Sequence, residues 1–165
     1  AFYYVVSWTP KLLVDAGLTT PQGISAGIYL QVGGILGAIS LGVLSAQFNV
    51  KRLTAGYLVM SVVSMLFFGM AELSLLSLMV CASVTGFFLI GAMIGLYTIA
   101  PALYPVRHRV TGIGWAIGIG RVGAILSPLI GGILLSYGLS SYQSIVFFAF
   151  PLLVASVVVW RIRVA

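Results

Sequence analysis

Long apolar runs, broken by short polar or proline- and glycine-rich clusters, follow one another along the whole chain. A run of about 18 residues or more is long enough to cross a bilayer as a helix, since a helix rises about 1.5 Å per residue. The first run is too short to cross, so we expect it to be the second part of a helix in a fragment of a longer protein, because the chain does not begin with Met. The predicted helices span residues 1–14, 24–46, 53–71, 75–103, 109–136 and 142–160.

Composition strengthens this prediction. Of the 165 residues, 61% are hydrophobic and only 6% are charged, and the mean hydropathy is +1.20. A soluble domain carries roughly a quarter charged residues, because charges must cover its surface. We therefore expect one all-α, multi-pass membrane domain over residues 1–165, and composition excludes a soluble domain.

The charged residues fall between the apolar runs in an alternating pattern. Because successive membrane helices run in opposite directions, consecutive loops lie on opposite sides of the bilayer. Six of the eight basic residues share one side, which the positive-inside rule assigns to the cytoplasm together with the C-terminus. The net charge of +6 therefore reflects topology, and we expect no nucleic-acid partner. The six are Lys51, Arg52, Arg107, Arg109, Arg161 and Arg163, and the opposite side holds Lys11, Asp15 and Glu72.

Pairs of glycines four residues apart recur inside the predicted helices. This spacing lets two helix backbones approach closely in a membrane, so it predicts helix packing. The pairs are Gly33 and Gly37, Gly91 and Gly95, and Gly114 and Gly118.

The segment "GIGRVG" at 118–123 has the glycine spacing of a dinucleotide-binding loop. Such a loop needs a preceding strand, and an acidic residue about 20 positions later to bind the ribose. Here an apolar helix pattern runs through the segment, and no Asp or Glu follows Glu72. We predict no cofactor, and because His108 is the only histidine, we predict no metal site either.

Arg121 is the one charged residue that lies deep inside a predicted helix, since the others lie in loops or near the ends of helices. It lies 12 residues after Arg109, about 18 Å by helical rise, and therefore near the middle of a hydrocarbon layer about 30 Å thick. A charge at that depth is costly and usually faces a partner or a watery cavity. Two interpretations remain open: an ion pair with an acid outside this chain, or an anionic ligand. A carboxylate suits a guanidinium because the two groups form paired hydrogen bonds.

The segment "YPVRHRVTGIGWAIGIGRVGAILSPLIGG" at 104–132 resembles the aromatic acid:proton symporter family of the major facilitator superfamily. The segments "SWTPKLL" at 7–13, "QVGGILGA" at 31–38 and "QFNVKRL" at 47–53 are similar to other parts of that family. The resemblance implies the C-terminal six-helix half-bundle, helices 7 to 12, built as two inverted three-helix repeats with the first helix truncated. It further implies a missing N-terminal half, alternating access in the plasma membrane, and proton-driven uptake of a small organic anion such as an aromatic carboxylate.

The resemblance also implies roles for individual residues. Arg121 would bind the substrate carboxylate, and the other residues expected to line the cavity are Tyr97, Phe87, Gln31 and Tyr29. Aromatic rings would stack on the substrate and Gln31 would form a hydrogen bond with it, while the alternative for each is packing or lipid contact. The basic residues Lys51, Arg52, Arg107 and Arg109 would form a cytoplasmic gate.

The chain departs from the superfamily pattern between its second and third helices. Ala46 and Gln47 stand where many members carry an Asp-Arg pair, which puts the usual charge latch of the gate in doubt. Transport of another small metabolite, such as a sugar, remains an alternative, as does a non-transporting scaffold or sensor. An enzyme is not predicted, because no Ser/His or Asp/Asp pair lies at membrane depth. A cavity lined by Arg121 favours transport, and a sealed core at that depth favours a scaffold.

Overall fold

A computed structural model describes residues 1–15, 17–70 and 74–162 of the chain. Within these ranges the fold is all-α, as predicted, and five of the helices are long and apolar enough to cross a membrane. Two 3₁₀ turns, Ala100–Leu103 and Val106–His108, connect the fourth and fifth helices. The helices are α1 Phe2–Asp15, α2 Thr20–Ser45, α3 Val50–Met70, α4 Leu75–Ile99, α5 Arg109–Ser136 and α6 Ser141–Arg161.

Two helices begin earlier than the hydropathy pattern predicts. Helix α2 begins at Thr20 rather than 24, because the Gln22 side chain accepts a hydrogen bond from the Thr19 backbone N–H at 2.9 Å and closes the first turn. Helix α3 begins at Val50 rather than 53, where the Asn49 side chain accepts from the Lys51 backbone N–H at 3.1 Å. The prediction that residues 20–23 lie between the first two helices is therefore wrong, since polar capping residues stand directly before the helix that they start.

Helices α2 and α4 cross with their backbones in direct contact. A Cβ added at Gly33 would collide with the backbone of Ser83, and one added at Gly37 would collide with the backbone of Phe87. Glycine is required at both positions because any side chain would push the helices apart. The packing predicted for this glycine pair is confirmed.

The second glycine pair faces helix α3 instead. A side chain at Gly91 would strike the Tyr57 ring, and one at Gly95 would strike Thr54. Helix α4 is therefore covered on two sides, which makes it the centre of the bundle. No heavy atom lies within 4 Å of a Cβ built at Gly114 or Gly118, so the packing predicted for that pair is not found among the described residues.

Helices α3 and α6 run antiparallel. The Ser156 hydroxyl donates to the Ala55 carbonyl oxygen at 3.2 Å, and Ile145 contacts the position of Gly69 at the other end. Arg161 therefore lies at the end of the bundle where α3 begins and where Lys51 is in its first turn. The clustering of basic residues at one end, predicted from the loop pattern, is observed for these two, whereas Glu72 and Arg163 lie outside the described residues.

Three helix contacts fit two three-helix units, α1–α3 and α4–α6, whereas the contact of α3 with α4 has no counterpart of similar extent between α6 and α1 among the described residues. Helix α1 packs on α5 as α4 packs on α2, and α3 packs on α6. If the two units exchanged places, the α1–α5 and α4–α2 contacts would replace each other, and the α3–α6 contact would stay the same. Helix α5 is the least covered, with only Ser127 and Gly131 buried. Its first four turns therefore remain open to contacts from outside this chain.

Candidate functional site

Arg121 lies in the middle of an unbroken helix. Helix α5 runs from Arg109 to Ser136, so Arg121 is about 18 Å from the basic end. The surrounding sequence is apolar or glycine and offers the guanidinium no local partner. The helix therefore holds a permanent positive charge at a depth where solvation by water requires a cavity.

Arg121 does line an open cavity of about 300 Å³, at the junction of α1, α4 and α5. Its wall is apolar apart from the guanidinium and two tyrosines, Tyr3 and Tyr97. This composition, a few polar groups in an apolar concavity, is typical of a site for a small organic molecule. The remaining lining residues are Phe2, Met93, Leu96, Ala100, Ile113, Ala116, Ile117, Gly120 and Ala124.

Tyr3 is the direct partner of Arg121. The Arg121 Nη1 group donates a hydrogen bond to the Tyr3 hydroxyl oxygen at 2.6 Å, across 118 positions of sequence. The direction of this bond follows from chemistry, since a guanidinium has donors but no acceptor. The sequence analysis did not identify Tyr3. A tyrosine in an apolar helix does signal a hydroxyl in need of a partner, but only the packing of α1 on α5 shows which partner it has.

Helix α1 is held firmly where it meets α5. The Trp8 Nε1 group donates to the Pro128 carbonyl oxygen at 3.1 Å. The Tyr4 ring fills the space left at Gly131, where a Cβ would collide with it. Tyr4 also stacks on Phe148 of α6 with ring centroids 4.1 Å apart. These contacts position the preceding residue, Tyr3, beside Arg121.

Tyr97 lies in the same cavity as Arg121, as the sequence analysis expected. It is in the last full turn of α4, before Pro101 leads the chain into a 3₁₀ turn. The side chain is 45% exposed, so its ring remains free of the bundle core. The structure thus brings together two of the five predicted binding residues.

The other three predicted binding residues do not line this cavity. The Phe87 backbone abuts Gly37 of α2, and its ring stacks on Tyr57 of α3 at 5.8 Å. Close packing of α2 on α4 thus directs Phe87 toward the bundle interior. Tyr29 and Gln31 are exposed on α2, away from the cavity that Arg121 lines.

The predicted gate residues lie at the basic end of the bundle, but not all of them lie in loops. Lys51 and Arg52 form the first turn of α3, Arg107 lies in a 3₁₀ turn, and Arg109 is the first residue of α5. The Arg109 Nε atom is buried and has no hydrogen-bond partner among the described residues. A second open cavity, of about 670 Å³, separates the start of α3 from the end of α4 here, and Lys51 lines it.

Comparison with protein-family models gave no match. No solved structure matches the chain either.

Curated relatives do match. The chain is 36% identical over 163 residues to a benzoate transport protein of Acinetobacter baylyi, covering 98% of this chain and 34% of the relative. It is 36% identical over 137 residues to a gallate transporter of Pseudomonas putida, covering 83% of this chain and 30% of the relative. A 4-hydroxybenzoate transporter of Pseudomonas aeruginosa is 31% identical over 159 residues, which are 95% of this chain and 35% of the relative.

The chain thus spans about a third of the length of the curated relatives it matches. These relatives are named as transporters, which indicates a non-enzymatic protein. The aromatic acids in their names agree with the resemblance carried by the motifs at 7–13, 31–38, 47–53 and 104–132. Over nearly its whole length, this chain therefore belongs to the family of aromatic-acid transporters.

Proposed function

We propose that this chain is the C-terminal half of a secondary transporter that takes up an aromatic carboxylate together with protons. The relatives are named for benzoate, gallate and 4-hydroxybenzoate, each of which joins a carboxylate to an aromatic ring. A protein that carries such molecules across a bilayer needs a group that replaces water around the carboxylate and an apolar surface for the ring.

The single observation that supports this proposal most is the position of Arg121 in an apolar cavity at mid-membrane depth. The guanidinium presents paired donors that match the two oxygens of a carboxylate. Side chains such as Met93, Leu96 and Ile117 provide apolar surface for the ring, and Tyr97 provides an aromatic one. Binding an anion also neutralises the charge that α5 places at membrane depth, which lowers the cost of holding either charge there alone.

The same arrangement supports alternating access. The described residues that line the Arg121 cavity belong to α1, α4, the 3₁₀ turn after α4, and α5, and the early turns of α5 are exposed. In the whole protein the N-terminal half would close this cavity, and rocking of the two halves would open it to either side in turn. The basic residues Lys51, Arg52, Arg107 and Arg109 would line the cytoplasmic gate, with the C-terminus in the cytoplasm and the protein in the plasma membrane.

We assign the proton-binding residue to the missing half. The two acidic residues of this chain, Asp15 and Glu72, belong by sequence to the ends of helices rather than their middles. Neither of them belongs to α5, the helix that carries Arg121. A carboxylate in the N-terminal half, close to the shared cavity, would allow proton release to be coupled to movement of the substrate.

The test is uptake of radiolabelled benzoate, 4-hydroxybenzoate and gallate by cells that express the full-length protein, with and without Arg121→Ala. We expect uptake of the best substrate to fall to background while the amount of protein in the membrane is unchanged. Arg161→Gln serves as the matched control, because it removes an arginine from a helix end outside the cavity. Wild-type uptake by Arg121→Ala would refute the proposed role.

A further inference from the structure

We propose that Tyr3 and Arg121 form one anion-binding unit, in which the Tyr3 hydroxyl donates its proton to the same carboxylate that the guanidinium binds. This inference rests on the proposed function and adds a substrate-binding residue from a second helix. It assigns to α1 a direct part in recognition, beyond its packing on α5.

The argument begins with the donors and acceptors of the pair. A phenol has one donor hydrogen and two acceptor lone pairs, whereas a guanidinium has only donors. In the bond of 2.6 Å from Arg121 Nη1, the Tyr3 oxygen must therefore be the acceptor. Its own O–H hydrogen is left over, and no acceptor for that hydrogen is found within the described ranges 1–15, 17–70 and 74–162.

The bond to Arg121 also makes Tyr3 a better donor. An oxygen that accepts a hydrogen bond from a cation becomes electron-poor, and its O–H bond becomes more polar, so linked hydrogen bonds strengthen one another. A carboxylate is the strongest acceptor that a small metabolite commonly offers, and its two oxygens have room for several donors. Each oxygen would accept one hydrogen bond from the guanidinium, and one of the two would also accept from the Tyr3 hydroxyl.

The surroundings hold this pair in place while leaving it accessible. Both side chains line the 300 Å³ cavity, and Tyr3 is 37% exposed there. The Phe2 ring packs edge-on against the Tyr3 ring with centroids 5.1 Å apart, which restricts its rotation. Such a donor set, already ordered before the ligand arrives, reduces the entropy lost on binding.

The unit defines a ligand class. Three donors converge here, two from the Arg121 guanidinium and one from the Tyr3 hydroxyl, and no carboxylate is among the other cavity-lining residues. They select a molecule with one carboxylate at one end and an apolar ring at the other. A cationic or zwitterionic molecule would place a positive group near Arg121 and would be rejected by charge repulsion.

The experiment compares three forms of position 3 in the full-length transporter with the labelled acid that it transports best. Tyr3→Phe keeps the ring and its packing on Phe2 but removes the hydroxyl. We expect its half-saturation concentration to rise about tenfold, the loss expected for one hydrogen bond to a charged group. The maximal rate and the amount of protein in the membrane should remain close to wild type. Tyr142→Phe, at the start of α6 and outside the cavity, is the matched control.

Replacement of Tyr3 by 3-fluorotyrosine separates donation to the ligand from mere support of Arg121. Fluorine makes the phenol a stronger donor and a weaker acceptor. If Tyr3 donates to the carboxylate, the half-saturation concentration of the fluorinated protein is equal to or lower than that of the wild type. If Tyr3 only holds Arg121 in place, the half-saturation concentration is higher than that of the wild type. A rise, or an unchanged value for a well-expressed Tyr3→Phe, would overturn the inference. The fluorinated form keeps the size of the side chain, so it decides the question even where Tyr3→Phe fails to fold.

Arg121→Ala is measured in parallel, because it distinguishes failure of this inference from failure of the proposed function. Wild-type uptake by Arg121→Ala would remove the proposed function and, with it, the basis for Tyr3. Loss of uptake by Arg121→Ala together with wild-type kinetics for Tyr3→Phe would leave Arg121 as the anion site and remove only the role of Tyr3.

Discussion

The Trp8 indole N–H of α1 donates a hydrogen bond to the Pro128 carbonyl oxygen of α5 at 3.1 Å. The two residues are 120 positions apart in the sequence. Their contact joins the helix that carries Tyr3 to the helix that carries Arg121. The geometry of the proposed binding site therefore depends on a contact outside the cavity, since neither Trp8 nor Pro128 lines it.

We predict that Trp8→Phe, which keeps an aromatic ring but removes this donor, lowers the free energy of unfolding by about 1 kcal/mol. Because α1 then holds Tyr3 less firmly, we also expect a higher half-saturation concentration for uptake. Thermal unfolding of the purified full-length protein and uptake kinetics measure the two effects. Trp160→Phe is the control, since Trp160 is exposed near the end of α6, and an equal effect there would contradict the prediction.

Arg121→Lys should rescue transport poorly. A lysine keeps the charge but replaces the planar fork of donors by a single ammonium on a flexible chain. It cannot bind both carboxylate oxygens in parallel while also reaching Tyr3. We expect uptake at least about tenfold below wild type, measured as maximal rate over half-saturation concentration. Uptake near the wild-type value would show that charge alone is sufficient at this position.

Tyr97 and Tyr29 were equivalent candidates from sequence, but the structure separates them. Tyr97 lines the Arg121 cavity, whereas Tyr29 does not. We therefore predict that Tyr97→Ala raises the half-saturation concentration for an aromatic acid several-fold, because it removes apolar surface from the site, and that Tyr29→Ala has little effect. The two variants are compared in one uptake assay, with membrane levels measured by immunoblotting. The reverse order of effects would place the substrate away from this cavity.

Gly37→Leu should destabilise the bundle severely. The Cβ alone would collide with the backbone of Phe87, and a backbone cannot move aside as a flexible side chain can. We expect a loss of at least about 3 kcal/mol, seen as loss of monodisperse protein on size-exclusion chromatography after detergent extraction. Gly42→Leu in the same helix is the matched control, because no heavy atom of another described element lies within 4 Å of a Cβ built there. A stable Gly37→Leu protein would mean that α2 and α4 are further apart.

Most of the secondary structure followed from the sequence because membrane helices are governed by a local property. About 18 apolar residues in a row predict a spanning helix wherever they occur, and the observed range of α5 is the predicted 109–136. The errors at the starts of α2 and α3 arose where capping residues are polar. Hydropathy counts Thr19 and Asn49 as loop residues, although their hydrogen bonds start the helices that follow.

The sequence alone also pointed to Arg121, because the cost of a charge at membrane depth depends only on its position within an apolar run. Its partner Tyr3, and the separation of Tyr97 from Phe87, depend on how the helices pack. A tyrosine or phenylalanine is compatible with cavity, core and lipid alike, so the residue type carries no such information. Glycines decide which helix faces turn inward. Those in α2 let it pack directly against α4, and Gly131 leaves room for the Tyr4 ring. The sequence thus determined the helices and the charge, and only the tertiary structure decided which side chains meet that charge.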